Sequence, residues 1–155
     1  MKYYHYTTRV QLEQIMESEV IKLATAGLPK SEKAIAWVSS NQHWEQTASK
    51  GMTDFKGNNR WLTFEEQLDN FGCARIQIEP DCLIPWRKLK HLSKMHPLLA
   101  NSLEDIGYEK GANPSDWYGS LSPIGINDWI KAEVYKNGEW VEYEVFEEYE
   151  LEMAA

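Results

Sequence analysis

At 155 residues the chain is long enough to bury one real core and too short for two comfortable ones, so it reads as a single domain over 1–155. A hydrophobic fraction of 43% with seven Trp excludes a disordered chain, because Trp is costly to leave in water. A formal net charge of -8 opposes unaided binding to nucleic-acid phosphates or to anionic membranes.

Cys73 and Cys82 make neither a disulfide framework nor a zinc set, and the first residues lack the basic-then-apolar pattern of a signal peptide. No apolar run approaches the roughly 18 residues that a membrane-spanning helix needs. The expectation is a cytoplasmic protein with reduced cysteines and no membrane partner.

Residues 2–7 suit a strand through their aromatic and β-branched content, and Thr8 with Gln11 has the spacing of a capping box. A helix follows, with Leu12, Ile15 and Met16 on one face. Val20 to Leu23 is a short apolar piece, and Ala26 to Ser31 is a turn. Ala34 to Ser39 reads as a buried strand with a polar exit, and Ser40 or Asn41 caps a predicted helix that turns Trp44 and Ala48 inward until Gly51.

Residues 51–60 have little periodicity and read as a loop. Thr63 to Glu66 is a second capping box, opening a helix with Phe64, Leu68 and Phe71 on one face and Gly72 at its end. Ala74, Ile76 and Ile78 alternate with Arg75, Gln77 and Glu79, which predicts a half-buried strand with Arg75 turned from that core face. Arg87, Lys88, Lys90 and Lys94 form a basic run after Pro85-Trp86, and Pro97 opens a helix reaching about Ile106.

Gly111 to Ser122 is a long loop by composition, anchored by Trp117 and Tyr118. Trp129 to Tyr135 and Glu139 to Phe146 flank Asn137-Gly138, the signature of a hairpin with a type I′ turn. Ile130, Ala132 and Val134 then share one face, and Trp129, Lys131, Glu133 and Tyr135 the other. Residues 147–155 are an acidic tail expected to fray. The expected fold is α+β, with a mixed, split central sheet flanked by helices and a C-terminal hairpin.

His5, His43, His91 and His96 fall in four separate segments without a paired spacing, so no metal is expected. The glycines are isolated, which removes a P-loop, and no nucleophile-elbow pattern occurs. The remaining constellation is ordered along the chain: His5-Tyr6-Thr7 at a strand end before a helix, Trp37 with Ser39 and Ser40 at a second strand end, and Glu133 on a late strand.

This order resembles the ADP-ribosyltransferase superfamily, in its diphtheria-toxin-like and poly-ADP-ribose-polymerase-like branch. There a first strand carries His-Gly-Ser/Thr, a second carries an aromatic residue followed by a small polar one, and a late strand carries the catalytic Glu. Tyr6 stands where the family usually has Gly, and Trp37 where it usually has Tyr.

The resemblance implies NAD as substrate, with His5 donating to the adenosine-side ribose and Tyr6 and Thr7 holding the nicotinamide carboxamide. It further implies Trp37 stacked on the nicotinamide ring, Ser39 and Ser40 lining the pocket, and Glu133 stabilising the oxocarbenium-like charge as nicotinamide leaves. Glu139, Glu142 and Glu144 are alternative carboxylates. Arg75, Arg87, Lys88, Trp117 and Ser120 are candidates to receive a macromolecular target, protein or nucleic acid. The other reading open at this point is a non-catalytic acidic binding module or inhibitor on a degenerate version of the same fold.

Overall fold

The computed structural model describes residues 1–144. Strand β1 (Tyr3–Thr7) is followed by helix α1 (Arg9–Ser18), whose cap Thr8 accepts the Gln11 N–H at 3.2 Å. The Gln11 side chain accepts the Thr7 hydroxyl at 2.8 Å, so it ties strand to helix. Glu19, in the left-handed region at φ 61, ends α1, and β2 (Val20–Ile21) and β3 (Ala36–Ser39) follow.

The helix expected after Ser40 does not form. Asn41 Oδ1 accepts the N–H groups of His43 at 2.9 Å and Trp44 at 3.2 Å, a side-chain substitute for helical bonding that holds the chain in a turn. Only a 3-10 turn at Gln46–Ala48 remains. Trp44 still reaches the interior, and its indole N–H donates to Ser49 Oγ at 3.0 Å.

The stretch 51–60, expected to be a loop, contributes a small hairpin, β4 (Gly51–Thr53) with β5 (Asn59–Trp61). Helix α2 (Phe64–Phe71) has the expected capping box between Thr63 and Glu66, and β6 (Ala74–Ile78) follows Gly72. Next come β7 (Ile84–Pro85), α3 (Trp86–Leu92) and α4 (Pro97–Glu109).

The expected loop over 111–122 contains β8 (Trp117–Ser120), paired on both edges. Gly119 reads as a loop residue, yet here it is a point of close approach. A Cβ there would lie 2.7 Å from Ile35 Cγ2 and 2.8 Å from Leu89 Cδ2. Strand β9 (Ile124–Gly125) pairs with β2, and β10 (Trp129–Lys136) turns at Asn137 and Gly138, φ 53 and 82, into β11 (Glu139–Glu142). Both turn residues have the positive φ that a type I′ hairpin demands. Val145 and Phe146 of the expected second strand, and the acidic stretch 147–155, lie outside the described residues.

Seven strands form one sheet in the order β11-β10-β6-β1-β3-β8-β7. With the helices this is the expected α+β class. The strand directions depart from expectation, because every pairing among the described residues is antiparallel rather than mixed. Each strand enters the sheet from the end opposite to its neighbours, so no parallel crossover is made.

The sheet parts in its middle. β1 and β6 share five register pairs, whereas β1 and β3 share one, Tyr4 with Ser39. One face buries Leu12 of α1 against Val38, Ala74, Ile76, Ile78, Ala132 and Val134. The other gathers Tyr4, Tyr6, Trp44 and Cys73. Ile130 was expected on the first face and is 47% exposed, because a register shift between Trp129 and Lys131 changes the alternation and brings Trp129 to the core instead.

Candidate functional site

A cavity of about 700 Å³ is lined by β1 residues from Tyr4 to Thr7 and β3 residues from Trp37 to Ser39, the two strands that part beyond the Tyr4–Ser39 pair. α1 closes one side through Gln11, Gln14 and Ile15, and α4 another through Leu103 and Ile106.

His5 bridges the gap. Its Nδ1 lies 2.7 Å from the Trp37 carbonyl oxygen, and a carbonyl only accepts, so Nδ1 carries the proton. Burial lowers the His5 pKa below its ordinary value, more than the carbonyl contact raises it, and keeps the ring neutral. Nε2 is then a bare lone pair. Toward a ligand this histidine accepts a hydrogen bond, where the resemblance had it donate.

Thr7 lines the same cavity with its hydroxyl proton committed to Gln11 Oε1, leaving the oxygen to accept. Trp37 lies 5.5 Å from Trp86 and 6.5 Å from Trp117, ring centre to ring centre. These rings hold its indole at the cavity wall. Trp117 also lines the cavity, and its buried indole N–H has no hydrogen-bond partner among the described residues.

Ser39 donates to Glu45 Oε1 at 2.8 Å, and Glu45 Oε2 accepts the Thr47 hydroxyl at 2.7 Å and the Thr47 N–H at 3.2 Å. Glu45 is buried and is the one carboxylate among the residues lining the cavity, which also include Lys22, Lys50 and Lys110. Lys110 Nζ sits 3.5 Å from the centre of the Trp61 ring, and burial lowers its pKa while Glu45 raises it. In a chain of net charge -8, three ammonium groups around one carboxylate form a locally basic hollow.

Glu133 does not reach this cavity. It pairs in register with Arg75, and Arg75 with Tyr6, so these three side chains share one sheet face while His5 projects from the other. From β10 to β3 is three strand spacings, about 14 Å between backbones, and Glu133 is absent from the residues lining the cavity. Its Oε1 is 3.0 Å from Arg75 Nε, and the guanidinium lies 3.9 Å and 4.2 Å from the ring centres of Tyr4 and Trp140. Glu133 is therefore already neutralised in a buried structural pair.

Arg75 is likewise committed, donating also to the Gln42 carbonyl at 2.8 Å. Tyr6 extends its side chain to that face, where its hydroxyl donates to the Asn41 carbonyl and burial pushes its phenol pKa up. Tyr6 nonetheless lines the cavity. Ser40 turns to Asp116, its Oγ 3.3 Å from Oδ1, and lies outside the lining, as does Ser120, whose Oγ accepts the Ser122 N–H. Arg87 and Lys88 are exposed on α3 and do not line the cavity. Among the alternative carboxylates, Glu139 and Glu142 stand exposed on β11, again outside the lining.

No family model, curated protein or solved structure matches this chain. Among the described residues no group of three or more His, Cys, Asp or Glu is arranged to hold a metal ion, and no helix is long and apolar enough to cross a membrane.

The structure thus brings together His5, Tyr6, Thr7, Trp37, Ser39 and Trp117. It adds Gln11, Glu45, Lys50 and Lys110, which the sequence reading did not single out. Glu45 carries a local signal, a carboxylate six residues beyond Ser39 and two before Thr47, but a helix drawn through this stretch hides it. Lys110 carries none, because only packing of α4 against the turn at Pro114–Asp116 and Trp117 brings it to the site.

Proposed function

We propose that the chain is ADP-ribosyltransferase-like: it binds NAD in the cavity between β1 and β3 and passes ADP-ribose to a macromolecular target, releasing nicotinamide. The observation that carries this reading is the convergence of His5, Thr7, Trp37 and Ser39 with three lysines around one hollow of about 700 Å³. That volume falls in the range of about 300–1,000 Å³ usual for small-molecule and cofactor sites.

The chemistry of the wall suits a dinucleotide. Lysine ammonium groups complement a pyrophosphate, indoles offer faces to flat rings, and the bare Nε2 of His5 accepts from a ribose hydroxyl. Calorimetric titration tests the reading directly. NAD and ADP-ribose are expected to bind competitively, with nicotinamide released from NAD; no heat from either ligand and no nicotinamide would sink it.

A second reading is favoured by one specific contact. The Arg75–Glu133 pair removes from the cavity the carboxylate that the resemblance assigns to catalysis. A non-catalytic module would keep nucleotide binding and release no nicotinamide, which the same experiment distinguishes.

A further inference from the structure

We infer that Glu45, rather than Glu133, is the carboxylate that acts on the bound dinucleotide, an inference that rests on the NAD-binding reading above. Three features of Glu45 carry it. It is the one carboxylate lining the cavity. It is 7% exposed, and three donors hold it in place: Ser39 Oγ on one oxygen, and the Thr47 hydroxyl and N–H on the other. Lysines at the same cavity offset its charge without a salt bridge to it among the described residues, whereas Glu133 spends its charge on Arg75.

Fixation of this kind is what electrostatic catalysis requires. A carboxylate already oriented toward developing positive charge needs no reorganisation as the bond breaks, and a buried setting strengthens the interaction. Its three donors leave one lone pair, on Oε1, to accept a ribose hydroxyl.

In the step assigned to it, the bond between the ribose C1′ and the nicotinamide ring nitrogen breaks, and its electron pair stays on that nitrogen, which leaves in neutral nicotinamide. The cation at C1′ is stabilised by the Glu45 carboxylate. An oxygen of water or of the acceptor then bonds to C1′ and gives its proton to solvent. Ser39 and Thr47 are positioning residues that act through Glu45. The lysines bind the pyrophosphate.

The test compares the wild type with Glu45→Gln and Glu45→Asp, measuring NAD affinity by calorimetry, nicotinamide release by rate, and thermal unfolding. The Gln variant keeps an acceptor for Ser39 or Thr47 and loses the charge. Expected are NAD affinity within a few-fold of wild type, release slowed by about 100-fold or more, as when one preorganised electrostatic group is removed, and partial recovery in the Asp variant. Release by the Gln variant at the wild-type rate overturns the inference. Loss of NAD binding with unfolding unchanged also overturns it, since Glu45 is then a binding group only.

If the Gln variant does not fold, Ser39→Ala takes its place: kcat falling with KM unchanged supports the role, and neither moving overturns it. A wild type that binds NAD and releases no nicotinamide refutes the catalytic assignment while leaving the binding reading intact. A wild type that binds no NAD removes both.

Discussion

Arg75 and Glu133 face each other on adjacent strands with Nε and Oε1 3.0 Å apart, both side chains 8% exposed. Lys131 Nζ lies 3.9 Å from the other carboxylate oxygen. Removing one member of such a pair strands the other charge in the interior. Glu133→Ala is therefore expected to cost about 3–5 kcal/mol of unfolding free energy, read from urea denaturation, while NAD affinity stays as in wild type. A loss within about 1 kcal/mol, the range of a surface pair, would contradict the structural role.

His5 couples the site to pH. The folded state lowers its pKa from the ordinary 6.5, so below that value the unfolded chain takes up a proton that the folded one resists. The stability contributed by neutral His5 is thus full above about pH 6.5 and is lost as pH falls from there through the lower folded pKa. Denaturant midpoints measured at about pH 7.5 and about pH 5.5 should separate in wild type and draw together in His5→Gln. NAD affinity should fall only as pH drops through the lowered pKa of folded His5, because protonation there removes the Nε2 lone pair.

Gly107 lies inside α4, where alanine would add roughly 1 kcal/mol of helix propensity. A Cβ there would lie 2.5 Å and 2.7 Å from Trp117 Cζ2 and Cη2. Displacing that ring costs about 1–3 kcal/mol, as overpacking does, so Gly107→Ala should be net destabilising. Because Trp117 lines the cavity, the variant should also shift tryptophan fluorescence and weaken NAD binding.

Lys110→Met keeps much of the apolar stem and removes one cation from the cavity. A single charge-assisted hydrogen bond is worth about 1.5 kcal/mol or more, so NAD and ADP-ribose should bind about 10-fold more weakly. Nicotinamide carries no phosphate, and any affinity it has alone should be unchanged. Equal weakening of all three ligands would mean that the variant had altered the cavity shape rather than its charge.

The elements that could be read along the chain are those with a strictly local cause. Thr8 and Thr63 accept helix N–H groups three residues on, Ala74 to Ile78 alternate, and Asn137-Gly138 takes two positive φ values. Each depends on neighbours within four residues. Sequence pattern and structure part where a local signal is satisfied differently: Asn41 uses its side chain to hold a turn, and Gly119 serves a crowded strand rather than a loop.

The cavity was only half legible for the same reason. His5, Tyr6, Thr7, Trp37 and Ser39 lie on two strand segments, and their residue types suffice to nominate them. Which carboxylate joins them depended on register and face. The sequence by itself determined α1, α2, α4, the turn of the C-terminal hairpin and the histidine-bearing first strand, because propensity, capping and turn chemistry act over a few residues. Only the tertiary structure decided that Glu133 is buried against Arg75 and Glu45 faces the cavity. One step along a strand reverses a side chain's face, and strand order sets its distance from every other.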